Sequence, residues 1–174
     1  MRRACIIALA LLLVLAVGQS GLAEPALQTV DCPEEGYTTK CPAGWDWYYT
    51  PDGGMTFYKD LDSPAPGLTV SYTVDAPEFD VDGYFENAFT PRMRQAHGEG
   101  LNADEVDTYN ISGIEMRGVL YAWPSEDGRF RVCLCLFELQ GDNFVRYEAD
   151  YYLDDSGDTL TLLDTVALFF NPKA

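Results

Sequence analysis

Cysteine, histidine and clustered carboxylates are the residue types in this 174-residue chain that could carry chemistry, and their spacing limits each of them. His97 is the sole histidine, so any Ser or Cys nucleophile would have to use it as its base. No G-x-S-x-G elbow occurs. Cys133 and Cys135 sit in the apolar run from Phe130 to Leu139, whereas a reactive thiolate needs an electropositive, part-exposed setting. These two thiols are expected to be inert packing or disulfide-bonded. His97 reads as an exposed residue at a helix end, where its charge would favour the helix dipole. Gly98 and Gly100 flank Glu99 with no lysine opening a helix after them, so they read as a helix stop, not a phosphate cradle.

Acidic residues outnumber basic ones by 28 to 11, for a net charge of −17. Such a chain repels nucleic acid and anionic membrane, because phosphate binding needs basic residues to displace counterions. A glycosidase-like hydrolase would need two carboxylates at a fixed separation across a cleft, and nothing in the sequence selects two from so many. That activity stands as an alternative function. The run Asp154, Asp155, Ser156, Gly157, Asp158 concentrates oxygen ligands, yet lacks the ordered spacing and terminal Glu of an EF-hand. A turn with a helix cap and a calcium-stabilised module are its two readings, and calcium is the one cofactor the sequence brings into view. Aromatic residues crowd one region, with Trp45, Trp47, Tyr48 and Tyr49 foremost. Period-two alternation cannot place all of them inside. They either pack two cores or leave some rings outside to stack on glycans or anchor a peptide or protein.

The elements that would position these residues begin after residue 23. Met1, Arg2 and Arg3 precede an uncharged run from Ala4 to Val17, and Gly21, Leu22, Ala23 place small residues where a signal peptidase reads. As a helix that run would rise about 21 Å against about 30 Å of bilayer hydrocarbon. The expectation is a cleaved secretory signal over 1–23, a secreted or extracytoplasmic mature chain, and no stable membrane insertion after cleavage. Cleavage removes two basic residues and no acidic one, making the mature chain still more negative. Residues 24–36 show no period and read as an irregular arm, and 37–174 as a single domain.

Within that domain Tyr37–Cys41, Trp45–Tyr49 and Met55–Leu61 read as a meander, and Leu68–Val74 alternates cleanly as a half-buried strand. A helix capped by Asp82 carries Phe85, Ala88 and Phe89. Thr90 and Pro91 then open a second helical stretch to His97, or kink a single helix. Val106–Ile111 and Ile114–Trp123 form a hairpin. In Phe130–Leu139 both alternating sets are apolar, so that strand must be covered on both sides. Phe144–Leu153 returns beside it, and a helix from about Thr159 to Phe170 presents Leu160, Leu163, Ala167 and Phe170. The predicted class is α+β, an antiparallel sheet with helices on both faces. Cys133 and Cys135 share one side of one strand, where bridging to each other would distort the backbone. The expected disulfide joins Cys32 to Cys41, with Cys41 to either strand cysteine as the alternatives and a four-thiolate metal site as runner-up.

This order of elements resembles the PsbP and Mog1-like family of α/β/α sandwiches. The resemblance lies in the strand leading to Pro42, Gly44 and Trp45, the middle helix near Tyr84 to His97, the strand, glycine, strand unit Ile111, Gly113, Ile114 to Tyr121, the long pair Phe130 to Leu153, and the closing helix. It covers most of the mature chain. Members of that family are chiefly non-catalytic: photosystem II subunits, or nuclear transport factors that bind a small GTPase. Metal-binding histidines of some relatives have no counterpart here, and an exported chain would not meet a nuclear partner. The resemblance implies a sheet surface used for binding a partner the sequence does not name.

Overall fold

The computed structural model describes residues 26–173 apart from 35, 52, 64 and 66, so the expected leader over 1–23 lies outside the described residues. Its main sheet has the order β3 (Asp46–Tyr49), β4 (Met55–Tyr58), β5 (Gly67–Thr73), β10 (Asn143–Tyr152), β9 (Phe130–Gln140), β8 (Ile114–Pro124). Along its far edge β8 pairs with both β6 (Asn102–Ala103) and β7 (Asp107–Ile111). Every pairing is antiparallel. A second, three-stranded sheet joins β1 (Leu27–Cys32), β2 (Tyr37–Pro42) and β11 (Asn171–Pro172).

Strand β9 explains the layering. Val132, Leu134 and Leu136 point to a back core with Leu68, Val70, Tyr147, Leu162 and Val166. Cys133, Cys135 and Phe137 point to a front core with Val81, Phe85, Phe89, Val119 and Tyr121. A strand apolar at both parities is stable only when both faces leave water, as its sequence requires. Helix α3 (Ser156–Leu168) and the small sheet cover the back, and Thr39 on β2 donates 2.7 Å to the Val166 carbonyl, tying the two together. On the front lies one helical rod: α1 (Val81–Tyr84), a π-helical turn Phe85–Phe89, and α2 (Thr90–His97). The α+β class with helices on both faces is therefore the observed architecture.

Several local expectations change. The stretch expected to be irregular contains β1, paired residue for residue with β2. The expected meander is split, because Gly44, at φ +91°, turns the chain at a corner that sends β2 into one sheet and β3 into the other. Asp80, not Asp82, caps the rod by accepting from Gly83 N at 2.9 Å, while Asp82 grips Arg117 through both oxygens at 2.8 and 2.7 Å. Pro91 falls in the first turn of α2, and the π turn before it lets Phe85 and Phe89 both face inward. In α3 the deepest side chains are Leu162, Leu163, Val166 and Ala167, with Leu160 only half-buried.

Candidate functional site

The predicted aromatic platform is dispersed by strand alternation. Trp45 is 5% exposed and packs on Gly67, where a Cβ would sit 2.6 Å from its Cζ3; it belongs to the core. Trp47 is half-buried over the back core, 6.5 Å from the Phe57 ring. Tyr48 and Tyr49 are each 42% exposed but leave β3 on opposite faces. Only Tyr48 faces the front, where its ring lies 5.6 Å from that of Tyr58.

Two other predicted sites are not brought together. Asp158 is paired with Lys59, Asp154 and Asp155 form a 3-10 turn, and among the described residues no group of three His, Cys, Asp or Glu could hold a metal ion. The Cys32–Cys41 disulfide is corrected by register: Cys32 lies opposite Tyr37 and Cys41 opposite Gln28, so along the ladder they are four positions, about 13 Å, apart, far beyond disulfide reach. Cys32 Sγ instead lies 3.5 Å from Met55 Sδ, and Cys41 is contacted by Gln28 Nε2 at 3.2 Å. Cys133 and Cys135 are sealed under the front rod, and burial pushes both thiols well above the ordinary cysteine value. His97, expected in solvent, is half-buried and stacked at 4.0 Å on Trp123; burial, then the Arg131 charge, lowers its pKa.

What the fold does bring together is the open half of the front face. A helix is about 10–12 Å across and strands lie about 4.8 Å apart, so one rod covers about two of them. Among the described residues the rod packs on β8 and β9 and touches β10 through Tyr84, leaving most of β10 and all of β5, β4 and β3 beyond its reach on that side. Cross-strand register writes its surface in rows: Tyr48, Thr56, Thr69, Glu148 run across to Cys135, and Ser71 and Arg146 run to Phe137. Asp150 closes the next row against Cys133 and takes a forked contact from Arg131, whose Nε donates to Oδ1 at 2.7 Å. Burial raises the Asp150 carboxyl while Arg131 pulls it back. Thr56 and Thr69 share a hydroxyl bond at 2.9 Å.

Arg146 is the hub of this surface. Its Nη1 donates to Tyr84 Oη at 3.1 Å, its Nη2 to Ser71 Oγ at 3.4 Å, and its Nε lies 3.0 Å from Glu148 Oε1 without hydrogen-bond alignment. Burial opposes its charge, and Glu148 and Tyr84 outweigh that, so the guanidinium stays protonated. Beside it opens a pocket of about 400 Å³ walled by Phe79, Tyr84, Phe137 and Phe144. Phe79 stacks on Phe144 at 4.1 Å, and Tyr84 meets Phe137 edge-on at 5.2 Å. In the sequence Arg146, Glu148 and Asp150 alternate with Val145, Tyr147, Ala149 and Tyr151 and read only as the polar side of a strand. The available signal was that their neighbour β9 is apolar on that same side, which makes them the border of a core.

No protein-family model matches the chain, and no curated protein matches it in sequence. Solved structures do. The cyanobacterial PsbP protein CyanoP from Synechocystis sp. PCC 6803 superposes with a TM-score of 0.55 at 17% identity, over 89% of this chain and 97% of that one. The Ran-binding protein Mog1p of Saccharomyces cerevisiae gives 0.55 at 12% identity, over 86% and 96%. A Bacteroides thetaiotaomicron protein gives 0.54 at 12% identity over 84% of this chain, which spans only 48% of it. With its antiparallel sheet, rod and closing helix in the same arrangement, this chain has the PsbP/Mog1-like fold.

Proposed function

We propose that the protein is a secreted, non-catalytic binding domain that engages a protein or peptide partner through the open half of its front sheet face. One observation carries the reading: most of β10 and all of β5, β4 and β3 lie outside the cover of the rod, and what they present is an ordered set of ion pairs, hydroxyls and two contacting tyrosines. Exposed apolar sheet would be an aggregation liability, whereas a fixed polar surface with aromatic anchors suits a reversible interface. Mog1p, alike in fold, is a Ran-binding protein, a precedent for a protein partner on this scaffold. The leader-like start supports export, and among the described residues no acid pair lines the pocket beside Arg146 and no accessible thiol or histidine base stands in it.

The test compares the purified protein with a front-face variant, Tyr48→Lys, Tyr58→Lys, and a back-face control at the exposed Leu168 of α3, Leu168→Lys, as baits in an extracytoplasmic extract. A protein held by wild type and control but lost by the front-face variant is the expected result. Equal retention by all three would refute the placement. Sequencing the amino terminus of protein recovered outside the cytoplasm tests export, with residue 24 expected first.

A further inference from the structure

The geometry points to the pocket beside Arg146 as a binding site for a monoanionic carboxylate carried on an apolar or aromatic body. A guanidinium has five N–H groups. Here Glu148 holds only the Nε edge as an ion contact, and both Nη atoms are met by neutral hydroxyl oxygens, Tyr84 at 3.1 Å and Ser71 at 3.4 Å. Those hydroxyls can turn to donate, so a carboxylate entering at the Nη end would meet charged and neutral donors together, the pairing that fixes a carboxylate most strongly. Phe79, Phe137 and Phe144 form the apolar wall a few ångströms away. About 400 Å³ lies within the range of small-ligand sites.

Charge selects the ligand class. The Arg146–Glu148 pair is already neutral and the chain carries a net charge of −17, so one added negative charge is the most this site tolerates and a dianion such as a phosphate monoester is disfavoured. The surrounding backbone is shaped for the site. Tyr84 is delivered immediately before the π-helical turn, a local irregularity common at functional positions. Phe79 arrives on a loop that holds Asp75 at φ +53° and Glu78 at φ +58°, both left-handed without being glycine, and pinned by Ala76 N to Asp142 O at 2.7 Å.

Such a carboxylate could belong to a free aromatic acid or to the carboxyl terminus of a peptide ending in Phe, and the probes separate these sources. The purified protein is titrated with 3-phenylpropionate, 3-phenylpropanol, acetyl-Gly-Gly-Phe and acetyl-Gly-Gly-Phe amide, following backbone amides and the Arg146 side-chain Nε–H by NMR. Saturable shifts at Ser71, Phe137, Phe144 and Arg146 are expected for one or both acids. Their neutral counterparts should bind about tenfold more weakly or worse. Whichever acid is tighter names the source. Arg146→Lys should weaken the acid by about tenfold, since an ammonium cannot fork. Equal binding of acid and neutral probe, shifts elsewhere, or no saturation up to about 10 mM would overturn the inference, and the wild-type comparison decides even if Arg146→Lys fails to fold. The inference shares only its sheet face with the binding function above: loss of discrimination here leaves the Tyr48 and Tyr58 test standing, and the reverse also holds.

Discussion

Leu136 and Phe137 are neighbours on β9 whose side chains enter different cores, and truncating each separately measures how well each face is sealed. Both are almost wholly buried, at 0% and 1% exposure. Leu136→Ala removes a back-core side chain, for which loss of transfer energy plus the residual cavity costs about 3–5 kcal/mol. Phe137→Ala opens the front core. There the ring has four aromatic neighbours, Phe79 and Tyr84 at 5.2 Å, Phe144 at 5.4 Å and Phe85 at 5.5 Å, so its cost should sit at the upper end, near 5 kcal/mol. In a domain of this size each kcal/mol lowers Tm by about 2–4 °C, so Leu136→Ala should lose roughly 6–20 °C and Phe137→Ala, near 5 kcal/mol, about 10–20 °C. The exposed Leu139→Ala on the same strand is the control and should stay within about 0.5 kcal/mol. Urea unfolding followed by far-UV circular dichroism, with the slope against denaturant unchanged, supplies the numbers. If Phe137→Ala lost less than about 1 kcal/mol, the front face would not be a packed core, and the division into covered and open halves would fall with it.

Gly118→Ala should destabilise by about 1–3 kcal/mol or more, because its Cβ would lie 2.3 Å from the Cys135 carbonyl oxygen and 2.5 Å from Leu136 Cδ2; an unchanged urea midpoint would contradict the β8–β9 register. Burial, reinforced by Asp107, raises the Asp104 carboxyl above its ordinary 3.8. Between that value and the higher folded one the folded chain holds the extra proton, so this group adds stability as pH falls toward 3.8, and a pH titration of Tm should show that contribution lost in Asp104→Asn. Cys133 and Cys135, sealed and with thiols pushed upward, should resist a thiol reagent in the native protein at pH 8 and react only on unfolding; rapid native labelling of either would refute their burial. Peptide mapping without reductant should find no Cys32–Cys41 cross-link.

What sequence could reveal follows from how far a signal reaches. The doubly covered β9, the β9–β10 pair and the hairpin of β7 with β8 were legible because each is a local period broken by a local turn. Strand β1 was not: Leu27, Gln28, Thr29, Val30, Asp31, Cys32 has no clean alternation, and it is made a strand by pairing with β2 and by the burial of Val30 and Cys32. The disulfide expectation failed for the same reason, since spacing along the chain does not give register across it. The site was hidden by distance. Arg146 is legible as a polar strand residue, but its partners Tyr84 and Ser71 come from 62 and 75 positions away.

The open half also constrains what it can meet. Had the rod been wide enough, the remaining strands would carry apolar side chains like those of β8 and β9; instead the change from Cys135 and Cys133 to Glu148 and Asp150 happens between adjacent strands. A torn obligate interface would be apolar across its width, whereas this face carries internal ion pairs, Arg131 with Asp150 and the Nε edge of Arg146 with Glu148. A partner therefore gains little by burying area and must compete for bonds already made, through Tyr48 and Tyr58 at one end and Arg146 at the other. Because the chain as a whole is strongly negative, a partner with a basic rim would be steered to it and one with an acidic rim repelled before contact. An association through this face, as proposed above, would be reversible, sensitive to salt, and selective through a few anchors rather than through area.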